Sequence, residues 1–336
     1  HSPYRRKEEP PAKPVGAFYI LRGYMNWIEP KRLAPGMTIG IMAPASASDE
    51  DLHRIEEICN ARGYNVLFGE SAHRKGLYGG TPEEQAQEFQ YMMTTAPCDA
   101  VLALRGGYGT MRYLDLLDYK AIRKYRKAFV GYSDCTALHM AINRYSRLIT
   151  YHGPMGVDFK EERKADIDAL FVALEGKLQV IEPLPEPPRG AIGTELGEGI
   201  LRGGNMTMLS MLLGTPYCLE DESWEDTLLF IEDVGEAPYK LDRMLQQFRL
   251  SGLLSRIKGL VIGTFTDCEG DDDERDYDLG YEALRYMEEN RDPELLEPFV
   301  CYVPTGHGTP HQTLPLGAMI NFRYISNTII VHPYTK

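Results

Sequence analysis

Ala128-Phe129-Val130-Gly131-Tyr132-Ser133-Asp134-Cys135 runs an apolar strand into a glycine and then, within a few residues, into a helix carrying Leu138, Ile142 and Tyr145. Strand, tight turn and helix in succession form the unit from which parallel sheets are built. The unit recurs upstream. Residues 38–44 read as a short apolar strand stopped by Pro44, and residues 49–62 carry helical spacing (Leu52, Ile55, Ile58, Cys59) that ends at Gly63. A strand over 64–68, a helix over 82–93, a strand over 99–104 and a helix near 111–117 lead up to the strand at 128–131. This alternation predicts an α/β fold whose N-terminal lobe is a doubly wound, flavodoxin-like parallel sheet.

Past Tyr151-His152-Gly153-Pro154 the pattern breaks. A charged stretch over 160–168 leads to a Pro-rich run over 183–188, the composition expected of a crossing between domains. At 336 residues the chain also exceeds the length, roughly 250–300 residues, at which single cores stop growing. The expected organisation is a flexible tail over 1–30, an N-terminal nucleophile domain over 31–158, an interdomain linker over 159–190 and a C-terminal domain over 191–336. The second lobe is expected to be smaller and mixed α+β, with strands over 227–231, 259–264, 299–303 and 327–332 and a helix over 239–250. An acidic run over 269–276 reads as a solvated loop because its like charges repel, with a calcium loop as the alternative.

A formal net charge of −13 argues against a nucleic-acid partner, which requires clustered Lys and Arg. No apolar run approaches the ~20 residues of a membrane span. Six scattered cysteines, none in a C-x-x-C pair, read as buried free thiols and lean towards a reducing compartment. The sequence starts at His1 with a basic, Pro-rich stretch, read here as a processed N-terminus.

Ser133 is the sharpest chemical signal. A serine on a tight turn between strand and helix exposes its hydroxyl and points free backbone amides at any oxyanion formed beside it. The fit to a nucleophile elbow is partial, since Cys135 stands where the motif has glycine, and the alternative is that Ser133 or Asp134 simply caps the helix. A serine nucleophile needs a histidine base held by a carboxylate. His307 lies between Gly306 and Gly308 in a loop after an expected strand, where flanking glycines let the backbone approach another lobe. His311 lies four residues on, but Pro310 breaks the helical geometry that a metal-binding pair would use. Glu232, at the end of a buried strand, is the first candidate for the carboxylate, with Asp233 and Glu236 next and a salt bridge to Arg243 or Lys240 as the structural alternative. Arg105-Gly106-Gly107-Tyr108-Gly109 completes neither a P-loop nor a dinucleotide turn and offers instead a second oxyanion amide. No cofactor is expected.

Taken in order, Pro44-Ala45-Ser46, Arg105-Gly106-Gly107-Tyr108-Gly109, Gly131-Tyr132-Ser133-Asp134, His152-Gly153-Pro154, Arg202-Gly203-Gly204-Asn205, Gly214-Thr215-Pro216, Glu232-Asp233-Val234-Gly235-Glu236-Ala237-Pro238, Gly306-His307-Gly308 and Leu314-Pro315-Leu316-Gly317 resemble the LD-carboxypeptidases, or muramoyltetrapeptide carboxypeptidases, over nearly everything after Lys31. The resemblance implies a triad of Ser133, His307 and Glu232 between two lobes, and an oxyanion hole from the amides of Gly107 and Asp134. It also implies a homodimer, no metal, and release of the terminal D-alanine from murein tetrapeptides or muropeptides in cell-wall recycling. Arg105, Arg202 and Asn205 lie in segments expected to reach the cleft and hold substrate carboxylates. The family's usual address is cytoplasmic, while a processed N-terminus leaves an exported envelope form open. A sister branch resembles the microcin immunity peptidases, which hydrolyse acyl-sulfamate aminoacyl adenylates; residues 105–109 and 232–238 look more like the carboxypeptidase branch. From another class, a non-catalytic muropeptide-binding protein would use the same cleft.

Overall fold

The computed structural model describes residues 26–177, 179–181, 189–190, 195–218, 224–270, 277–289, 291–325 and 328–331. Most of the expected tail, the Pro-rich run over 183–188, the acidic residues 271–276 and the ends of the expected last strand lie outside the described residues.

The first lobe reads β1 (Thr38–Met42), α1 (Leu52–Asn60), β2 (Asn65–Phe68), α2 (Pro82–Met93), β3 (Ala100–Ala103), α3 (Tyr119–Tyr125), β4 (Ala128–Gly131), α4 (Thr136–Ser146), β5 (Thr150–His152) and α5 (Lys164–Leu174). Its strands lie parallel in the order β2-β1-β3-β4-β5, the flavodoxin-type winding that the alternation predicts. Successive strand residues face opposite sides of the sheet. Val101, Ala103 and Phe129 therefore pack with α2, α3 and α4, while Leu102 and Val130 pack with α1 and α5.

Two local expectations change. The helix expected near 111–117 is a pair of 3-10 turns, Thr110–Arg112 and Leu114–Leu116. Tyr113 between them has φ −139°, outside the helical region, and the helix forms only at α3, where the Asp118 carboxylate accepts from the amides of Lys120 and Ala121. Within residues 159–190, read from the sequence as a linker, α5 packs on the first sheet through Ile167, Leu170, Phe171 and Leu174. The charged residues Lys160 to Lys164 and Asp168 are exposed or half-buried while Asp166 is buried, and this mixture hides that stripe from a composition argument.

The second lobe continues with β6 (Gln179–Ile181), β7 (Arg189–Gly190), β8 (Glu195–Asn205), α6 (Met206–Leu212), β9 (Thr227–Val234), α7 (Pro238–Leu250), α8 (Leu253–Arg256), β10 (Gly259–Thr266), α9 (Leu279–Glu288), β11 (Phe299–Tyr302), β12 (Leu314–Leu316), β13 (Met319–Ile325) and β14 (Thr328–Val331). Strands β8 to β11 are parallel neighbours, flanked by antiparallel β13, β14 and β6 on one side and β7 on the other. Strand β12 leaves this lobe and pairs antiparallel with β5, setting Leu314 opposite His152. Helix α4 is buried along most of its length, and one core cluster joins its Leu138 and Ile142 to Leu229 and Leu245 of the second lobe. The lobes thus share a core and a sheet edge.

All six cysteines are buried, and none is joined in a disulfide. Among the described residues no helix is long and apolar enough to cross a membrane.

Phe171 is buried and stacks on Tyr64 with ring centroids 4.9 Å apart. Phe171→Ala is expected to lower unfolding free energy by about 3–5 kcal/mol. Denaturant titration checks this, and a near-zero change would mean that α5 is a linker and not part of the lobe.

Candidate active site

Strand β4 delivers Tyr132 in extended conformation (φ −152°), and Ser133 then turns to φ 61° before the 3-10 turn Ser133–Cys135 enters α4. A positive φ in a residue other than glycine costs of order 1–3 kcal/mol and persists only where neighbours over-determine it. Here they do. The Asp134 carboxylate accepts from the Thr110 amide at 2.9 Å, and the Thr110 hydroxyl donates to the Asp134 carbonyl at 2.7 Å. Burial raises the Asp134 pKa against these bonds, so this acid anchors the turn. Gly106 abuts the serine: a Cβ there would lie 2.9 Å from Ser133 Cβ and 3.2 Å from Oγ. The Gly106 loop is braced from β1's end, where Ser46 accepts from the Tyr108 amide at 3.1 Å and donates its own amide to the Gly106 carbonyl at 3.2 Å.

The second lobe contributes a carboxylate and an imidazole. Glu232, on β9, is fully buried, and its Oε2 lies 2.7 Å from His307 Nδ1. Burial drives the carboxyl pKa up, but the imidazoles of His152 and His307 outweigh it and hold the group at about 2 against an ordinary 4.5. A carboxylate only accepts, so Nδ1 carries a proton, and in the neutral ring Nε2 of His307 keeps its lone pair. Gly306 permits this approach, since its φ is +145° and a Cβ would lie 2.4 Å from Thr264 Oγ1 and 3.0 Å from Glu232 Oε2. The His307 ring stands edge-on to Tyr132, centroids 4.9 Å apart, which brings the second-lobe pair beside the residue preceding Ser133.

The alternative carboxylates have other work. Asp233 accepts from Asn205 Nδ2, the Thr207 amide and the Thr207 hydroxyl, each at 2.8 Å. Glu236 pairs with Lys240 at 3.1 Å, and Arg243 lies over Tyr239. Among the described residues no group of three or more His, Cys, Asp or Glu is placed to hold a metal ion. His311 is buried, and its amide donates to Asp166 at 2.8 Å.

Of the residues expected at the cleft, Arg105 is exposed on the Gly106 loop. Arg202 is only 3% exposed, with its guanidinium 5.2 Å from the Trp27 ring centroid, and Asn205 caps α6 and binds Asp233. The Asn205 side chain is thus engaged within the second lobe, and the Arg202 guanidinium lies against an indole ring. Sequence reasoning also missed a clasp on the His307 loop: Arg163 donates to the Gly308 carbonyl at 3.2 Å and to Asp166 at 2.7 Å. These residues sit in the stretch read as a linker, and only their i, i+3 spacing hinted at a pair.

Residues 39–153 match the family described as the LD-carboxypeptidase N-terminal domain, and residues 198–322 match its C-terminal domain. The chain belongs to the LD-carboxypeptidase family. A Bacillus subtilis relative named "Probable murein peptide carboxypeptidase" is 33% identical over 316 residues, covering 90% of this chain and 94% of that one. The crystal structure of muramoyltetrapeptide carboxypeptidase from Oxalobacter formigenes aligns with a TM-score of 0.75 at 29% identity, covering 89% of this chain and 100% of the other. The microcin self-immunity protein MccF of Escherichia coli is 25% identical, covering 89% of this chain and 94% of that one. In this LD-carboxypeptidase family member, the two matched domains are the two lobes that meet at Tyr132 and His307.

Burial opposes the charge on His307, but the hydrogen bond and charge of Glu232, with Asp233 and Asp158, outweigh it and raise the imidazole above its ordinary 6.5. The stabilisation this gives is complete below that ordinary value and is lost as pH rises through the raised one. Titration of the His307 ring by NMR is expected to show a midpoint above 6.5, falling in Glu232→Gln. An unmoved midpoint would disprove the contact.

Proposed function

We propose that this chain is a serine LD-carboxypeptidase that releases the terminal D-alanine from murein tetrapeptides without a metal. Ser133 is the nucleophile, His307 the base, Glu232 the group that orients the base, and the amides of Gly107 and Asp134 hold the oxyanion. The observation that carries the reading is the 2.7 Å contact between His307 Nδ1 and the buried Glu232 carboxylate. It leaves Nε2 free to take a proton, in a ring that stands against Tyr132, the residue that precedes Ser133 on its tight, strained turn.

As Ser133 Oγ attacks the carbonyl carbon between the diamino acid and D-alanine, its proton passes to His307 Nε2. Glu232 stabilises the imidazolium, and the two amides stabilise the negative oxygen. His307 then returns the proton to the D-alanine nitrogen, the C–N bond breaks, and an acyl ester remains on Ser133. Water, deprotonated by the same nitrogen, hydrolyses that ester. Arg105, exposed on the loop that touches Ser133, takes the free carboxylate of the terminal residue.

Mass spectrometry of a murein tetrapeptide incubated with the protein in EDTA is expected to show loss of one alanine with the wild type and none with Ser133→Ala. Cleavage that survives in Ser133→Ala removes the serine as nucleophile. An intact tetrapeptide, with cleavage of an aminoacyl sulfamoyl adenylate, would move the chain to the microcin-immunity branch. Binding of muropeptide without turnover of either substrate would make it a binding protein. Glu232→Gln is expected to stay folded and to lose roughly a thousandfold or more in kcat, since the imidazole loses its orienting charge.

A further inference from the structure

His307 engages only one oxygen of Glu232. The other, Oε1, is buried without a hydrogen-bond partner among the described residues and faces His152 Nε2 at 3.7 Å. His152 is itself fully buried, and neither of its ring nitrogens has a hydrogen-bond partner among the described residues. It stands at the end of β5, in register with Gly131 on the strand that leads to Ser133 and opposite Leu314 of β12. Its ring packs edge-on to Phe230, two residues before Glu232 on β9, with centroids 4.9 Å apart, and lies 5.8 Å from Tyr132 and 5.4 Å from His311. The carboxylate is therefore flanked by one imidazole from each lobe.

We propose that His152 is a positioning residue that directs its Nε2 proton at Glu232 Oε1, directly or through one bridging water, and so fixes the carboxylate with Oε2 towards His307. A carboxylate held by one hydrogen bond can rotate about its terminal torsion, which is broad and soft; a second donor on the other oxygen removes that freedom. The gap of 3.7 Å suits a small ring rotation or a water-mediated bond. Because His152 comes from the first lobe and Glu232 from the second, the contact also sets the carboxylate against the lobe that bears Ser133. This inference rests on the reading of Glu232 and His307 as the orienting acid and the base.

Two substitutions separate positioning from packing. His152→Gln keeps an N–H donor near the Nε2 position, and His152→Met keeps volume and removes the donor. With folding verified by thermal melts, His152→Met is expected to lower kcat on murein tetrapeptide by roughly ten- to a hundredfold, the loss typical of a misplacement of about 1 Å, with KM little changed. His152→Gln is expected to recover most of kcat. The downfield proton resonance of the His307 Nδ1–H···Glu232 bond should shift or broaden in the Met variant and persist in the Gln variant. Should the Met variant fail to fold, His152→Asn replaces it, because its amide reaches only the Nδ1 position. Equal kcat in the wild type and the donor-less variant, or an unmoved resonance there, overturns the proposal. A wild type that hydrolyses nothing would instead defeat the catalytic reading, and the resonance in the same variants would still decide whether His152 holds Glu232.

Discussion

A carboxylate removed from water has to find donors or surrender its charge. Glu232 sits at the end of a strand in the interior of the second sheet, fully buried, and the groups that face its oxygens are two histidines from different lobes. Much of the remaining architecture follows from bringing those imidazoles to it. His307 needs a loop whose backbone can pass within contact of the carboxylate, which Gly306 permits. His152 needs β5 to end where β9 ends, and β12 holds that end of β5 by crossing out of its own lobe to pair with it.

The Ser133 side obeys a different constraint, backbone strain. Ser133 holds a positive φ because the Asp134 and Thr110 hydrogen bonds tie the turn down on one side while Gly106 presses against the serine on the other. Side chains at such a turn are displayed at the C-terminal end of a parallel sheet, where the loops after β1, β3 and β4 converge. The Ser46 bridge to the Gly106 loop is that convergence in detail.

The two halves are joined by packing as well as by chemistry. Helix α4, which begins at the strained turn, is buried between the lobes and shares a core with Leu229 and Leu245. Arg163 and Asp166, at the start of α5, hold the His307 loop from the first lobe's side. Relative motion of the lobes would disturb the clasp, the shared core and the β5–β12 pairing together, so the geometry of the site is tied to the docking of the lobes.

Local pattern was enough for the parallel first sheet, the tight turn at Ser133, the glycine-rich neighbour loop and the separate position of His307, because strand-helix alternation and turn glycines are written in consecutive residues. Family resemblance singled out Glu232 among three neighbouring acids, a choice that local pattern left open. The actual partners of Asp233, Arg202 and Asn205 depend on chain segments far apart in sequence, and they emerged only from the fold. The same holds for α5, whose apolar stripe is concealed among charges, for the crossing of β12, and for His152, a buried residue whose environment is assembled from β5, β9 and the His311 loop. Sequence records what each segment prefers to be; which buried charge meets which donor is decided only when the lobes dock and water is excluded.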